Sequence, residues 1–202
     1  MMPRWAITRA PDSGDNEMVN GNGISPLAGE DHVCATCALT YADITIERAV
    51  DEIKRLPPAV HREVAALSAD ARRLRLDPSE WSVTEYVCHL RDVYVASTIR
   101  LHRICTEDRP ALEPLFNDLR AVRFRYNDRE LTAVVDEFAS AIAGFLDEVA
   151  LTAGPHWDRT ATRLPGETRS ARWIVRQAMH EGIHHLADIR RVAGSVPPGS
   201  PS

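Results

Sequence analysis

The stretch RWIVRQAMHEGIHHLADIRRV, Arg172 to Val192, decides the fold class. Its apolar residues recur every three or four positions, which is the period of an amphipathic helix. On a wheel of ~100° per residue with Trp173 at zero, Ile174, Val175, Ala178, Met179, Leu186, Ile189 and Val192 gather around ~180°. That side is the expected core face. His180 and His184 fall within ~20° of Trp173, beside Arg191, and are expected to face solvent. Glu181 and His185 fall near ~80° and ~120°, on the flank of the apolar face.

Two metal readings compete for this cluster. HEGIH matches the HExxH pattern, in which two histidines one turn apart hold zinc and the glutamate acts on a bound water. That reading requires His180 and His184 to converge with a third ligand outside the core. The other register, Glu181-x-x-x-His185, stacks a carboxylate and an imidazole on a face that can turn into a bundle. Bundles build metal sites from such side chains on facing helices. The best third ligand is His89, on the rim of the apolar face that includes Tyr86, Val93 and Ala96. Three protein ligands leave an open position, the catalytic arrangement for zinc. His180 and His184 stand as alternate ligands. Asp92 and Asp188 each lie one turn beyond a candidate ligand, where each is either an acceptor that orients its imidazole or an ordinary exposed acid.

Working outward, the rest of the chain is also helical. A first pattern runs from about residue 43 to 74, and Pro57 and Pro58 should break or kink it. A second opens at WSVTEYVCHL, where Ser82 and Glu85 have capping-box spacing, and continues to about Cys105. A third covers Arg129 to Leu151, and a fourth runs from about 170 to 192, capped by Thr168 or Ser170. LEPLFNDLRAVRFRYN has room for one or two helical turns. No strand is legible. The expectation is all-α, a four-helix up-down bundle at residues 43–193. It is preceded by a disordered N-terminal arm at 1–30 and a Cys-x-x-Cys segment at 31–42. A flexible tail follows at 194–202.

Composition narrows the function classes. The chain has 202 residues, 44% of them apolar, and a formal charge of −5. The charge disfavours nucleic acid as a partner, which selects basic faces. No run of 18 apolar residues exists, so no membrane span is expected. The absence of an apolar leader and the four cysteines fit a reduced, cytoplasmic setting.

The motifs WSVTEYVCHLRDV and AMHEGIHHLADI, in that order, resemble the DinB-like (DinB/YfiT) superfamily over about residues 43–193. The resemblance implies a four-helix bundle holding a divalent metal, commonly zinc or nickel, on three side chains. These match His89, position 181 and His185. Many members carry histidine at the middle position; Glu181 here resembles the mycothiol-dependent maleylpyruvate isomerase branch. The resemblance further implies a thiol-dependent S-transferase or isomerase, with a low-molecular-weight thiol such as mycothiol as co-substrate, or a metal-dependent hydrolase. Either would act on a small molecule. A homodimer is one expected assembly. A non-catalytic binding bundle and an HExxH zinc peptidase are the alternatives.

Cys34-x-x-Cys37 supplies only two of the four ligands a zinc knuckle needs, with His32, Cys88 and Cys105 as candidate recruits and free thiols as the plain alternative. Cys88 points ~100° away from His89 and is not expected to be a ligand. Arg91, Arg100 and Tyr126 are polar groups suited to an anion or to salt bridging. Trp81 and Trp157 precede helix starts, where a hydrophobic staple explains them.

Overall fold

A computed structural model describes residues 26–195. Most of the expected arm (1–25) and tail (196–202) lie outside the described residues. The four expected long helices are present: α1 (Ile46–Ala65), α3 (Val83–Thr106), α5 (Leu131–Leu151) and α6 (Ala171–Ser195). Two short helices, α2 (Ala69–Arg73) and α4 (Asn117–Arg123), lie in the connections. The second of these fills the stretch expected to hold a turn or two of helix.

Capping fixes where the long helices begin. The Ser82 hydroxyl accepts from the Glu85 amide while the Glu85 carboxylate accepts from the Ser82 amide, so the expected capping box forms at α3. Trp81 packs edge to face with Tyr86, four positions into the helix, as a staple does. Ser170 caps α6 by accepting from the Trp173 amide.

The break expected at Pro57–Pro58 does not occur there. α1 runs through both prolines and ends at Ala65. Each proline deletes one backbone hydrogen bond, but Leu56, Ala59 and Val60 beside them are all buried. Packing of α1 against its neighbours outweighs the loss.

The long helices form a ring in the order α1–α5–α3–α6. Consecutive helices α1 and α3 therefore sit diagonally, and α3 is the neighbour of α6. This order brings His89 on α3 to the ligand flank of α6. The core inside the ring includes Ile53, Leu90, Tyr94, Phe138, Phe145, Ile174 and Ile189.

Two antiparallel hairpins correct the expectation of no strands. β1 (Val33–Cys34) pairs with β2 (Leu39–Thr40), with Cys34 opposite Leu39. β3 (Thr160–Thr162) pairs with β4 (Thr168–Ser170). Strands of two or three residues are too short to show a period-two pattern.

The second correction concerns the Trp173 face of α6, expected to be solvated. Trp173 is buried, and its indole donates to the Gly29 carbonyl. Residues 27–41 lie across this face. Leu27 donates to Glu167, the Glu30 carboxylate accepts from the Ser170 amide, and Tyr41 is fully buried. His180 and His184 are consequently covered by the β1–β2 hairpin.

Candidate metal centre

α3 and α6 place the expected ligands together. Glu181 Oε2 lies 3.4 Å from His89 Nε2 and 3.3 Å from His185 Nε2. The His89 and His185 rings meet edge to face at 4.8 Å. Donor atoms bonded to one tetrahedral zinc at ~2.0–2.2 Å sit roughly 3.3–3.5 Å apart, so these separations fit a shared cation. His89 is 3% exposed, whereas Glu181 and His185 have side chains 26% and 19% exposed. The group is closed toward α3 and open along α6.

Hydrogen bonds aim the ligands. His185 Nδ1 lies 2.9 Å from Asp188 Oδ2, which fixes the ring and leaves Nε2 facing Glu181. Gln177, one turn before Glu181, donates its amide to Glu181 Oε1 at 2.6 Å. Glu181 thus keeps Oε2 for the shared position. Of the two acids proposed to orient imidazoles, Asp188 does so and Asp92 does not. Asp92 accepts instead from Arg91, Arg120 and Tyr126.

Opposite charges meet inside this cluster. Burial opposes ionisation of Glu181, but hydrogen bonds to His185 and His89 hold its carboxyl well below the usual range. Burial likewise opposes charge on His185, yet Asp188 and Glu181 raise its pKa to about 9. Burial pushes His89 down, against the pull of Glu181. Without a metal, the imidazolium of His185 provides positive charge between two carboxylates. Neutral imidazoles and an ionised carboxylate are the forms that ligate.

Trp81, read from sequence only as a staple, also walls the site. Its ring lies 5.0 Å from that of His89 and 6.4 Å from that of His185. Gln177 was legible in principle, because it stands four residues before Glu181 on the same helical face. Arg91 pairs with Asp92 and Glu137, and Arg100 donates to the Glu113 carbonyl. Burial lowers the Arg100 pKa, as does Arg163, while Glu181 raises it.

The HExxH constellation is not assembled. His180 and His184 group with Cys34 and Cys37, while Glu181 turns to His89 and His185. Among the described residues these are the two groupings of metal-ligating side chains. Cys88 lies in the core with its thiol near the Tyr126 carbonyl, and Cys105 lies beside Thr152.

Comparison with solved structures returns the same fold. A Bacillus subtilis protein, YfiT, described as a probable metal-dependent hydrolase with an unusual four-helix bundle topology, superposes with a TM-score of 0.64. The two are 16% identical, and the match covers 75% of this chain and 91% of that one. A mycothiol-dependent maleylpyruvate isomerase superposes with a TM-score of 0.61 at 14% identity. That match covers 75% of this chain and 63% of the isomerase, so the chain spans less than two thirds of that protein. No curated protein sequence matches the chain. The sequence model of the DinB superfamily matches residues 52–189, a span that reaches into all four long helices and includes His89, Glu181 and His185. The chain belongs to the DinB superfamily.

Proposed function

We propose that the chain is a metal-dependent enzyme acting on a small molecule, with a divalent cation, zinc or nickel, held by His89, Glu181 and His185. The observation that carries this reading is the convergence of these three side chains at 3.3–3.4 Å around Glu181 Oε2, with an open edge along α6. When bound, such a cation supplies Lewis acidity and lowers the pKa of a thiol or water at its free position. Two neutral imidazoles and one carboxylate leave the site with a net positive charge, which favours an anionic nucleophile. His89, Glu181 and His185 hold and orient, Asp188 fixes the His185 tautomer, and Trp81 excludes water from one side.

Thiol transfer or isomerisation is the first chemistry to test, with mycothiol as the thiol. The likeness to the isomerase supports that choice of thiol. Hydrolysis without a thiol is the second.

Elemental analysis of untagged protein tests the site. His185→Ala and Glu181→Ala should each carry one divalent ion fewer per chain than wild type. Unchanged metal content in both variants would overturn the assignment. Turnover of a small electrophile that requires both mycothiol and the metal would select transfer or isomerisation. Turnover of an ester or amide with metal alone would select hydrolysis.

A further inference from the structure

We propose a second metal site, a closed Cys2His2 zinc centre formed by Cys34, Cys37, His180 and His184, which staples the β1–β2 hairpin to α6. It shares no ligand with the site above and does not rest on the proposed activity.

The ligand atoms of the four side chains all lie within 4.8 Å of one another. His184 Nδ1 is 3.2 Å from the Cys37 thiol and 3.9 Å from the Cys34 thiol. Zn–S bonds of ~2.3 Å and Zn–N bonds of ~2.0 Å put tetrahedral donors roughly 3.3–3.8 Å apart. The cluster therefore needs a contraction of about an ångström at its widest pair. The Cys-x-x-Cys turn is shaped to aim both sulfurs one way. Cys34 ends β1, the Cys37 amide donates back to the Cys34 sulfur at 3.5 Å, and Ala38 takes a left-handed conformation (φ 52°) to enter β2.

The protonation of His180 points the same way. Tyr41 has one hydroxyl proton, and it donates to Gln177 Oε1. The Gln177 amide nitrogen is committed to Glu181, which fixes that orientation. His180 Nδ1, 2.9 Å from the Tyr41 oxygen, must then be the N–H donor. Nε2 of His180 is left as a bare lone pair, and that buried atom has no hydrogen-bond partner. A buried acceptor without a partner costs free energy. A cation between it and two sulfurs removes that cost.

Four protein ligands leave no open position, the mark of a structural rather than a catalytic zinc. The chain Glu181–Gln177–Tyr41–His180 then ties the orientation of a ligand in one site to a ligand in the other.

Cobalt(II) is the probe. The His89–Glu181–His185 group contains no sulfur, so thiolate-to-cobalt charge-transfer absorption reports the second site alone. Metal-stripped protein, reduced with a phosphine and free of small thiols, is titrated with cobalt. Wild type should show thiolate charge-transfer bands and intense tetrahedral ligand-field bands. His89→Ala should keep them. Cys34→Ser with Cys37→Ser should lose them, and zinc content should fall by one per chain with far-UV circular dichroism unchanged. Absence of thiolate bands in folded wild type overturns the proposal, a result that needs no variant to fold. Survival of the bands in the double serine variant does so as well.

Discussion

At the scale of the residue, two aspartates divide the roles that spacing alone assigns to both. Asp188 holds His185 by a 2.9 Å hydrogen bond. Asp188→Asn should weaken metal binding at the His89 group about 10–100-fold, by analogy with other carboxylates behind ligating histidines. Competition with a chromogenic chelator measures this, and unchanged affinity would remove Asp188 from the site. Asp92 serves stability instead. Burial opposes its charge, but Tyr126, Arg120 and Arg91 outweigh burial and depress its pKa. The unfolded chain takes up this proton near ~3.9. The native state therefore binds fewer protons in the acid range. The stabilisation is complete above the unfolded value and vanishes as pH falls through the depressed native value. Asp92→Asn should cost about 2 kcal/mol at neutral pH, the worth of charge-assisted hydrogen bonds lost from a buried group. The cost should shrink toward about pH 3. Urea midpoints of metal-stripped wild type and variant, measured across that range, would show the two curves converging. Parallel curves would assign the cost to packing.

At the scale of the element, α6 carries the site because it can approach α1 and α3 closely. Gly182, between Glu181 and His185, is where they meet. A Cβ there would stand 2.2 Å from Leu56 Cδ1 and 2.8 Å from the Tyr94 hydroxyl. Tyr94 is itself tied to the Ala178 carbonyl, one turn earlier on α6. Gly182→Ala should destabilise by about 1–3 kcal/mol through overpacking. The added cost should shrink in a Leu56→Ala background, and strict additivity in that double-mutant cycle would mean that Leu56 is not the obstacle. The helices, the capping box and the Glu181/His185 flank were legible because each is a local pattern of three- and four-residue spacing. Pro57 and Pro58 misled because propensity is a local quantity, and burial of Leu56, Ala59 and Val60 overrode it. The Trp173 face was misread for the opposite reason. A single-helix wheel shows which residues share a side but not what covers it. Here the cover is a hairpin about 140 residues away in sequence.

At the scale of the molecule, the ring order α1–α5–α3–α6 is what no local pattern contains, and the meeting of His89 with Glu181 and His185 depends on it. A bundle with consecutive neighbours would set α1, rather than α6, beside α3. The present order makes α3 and α6 partners, so His89 completes the pair on α6. The apolar core that fixes this order draws on all four long helices. The fold should therefore persist without any metal, unlike a small zinc finger, whose core is too slight to fold alone. Stripping all divalent ions should leave far-UV circular dichroism almost unchanged. Metal at about 100 times its dissociation constant contributes about 2.7 kcal/mol per site. At roughly 2–4 °C per kcal/mol for a chain of this size, each site should raise Tm by about 5–10 °C. Removing the Cys34–Cys37 centre alone should also expose the 31–42 hairpin to protease while the helices stay protected. Collapse of helicity on chelation would show instead that the metals organise the bundle, and that the apolar ring is insufficient by itself.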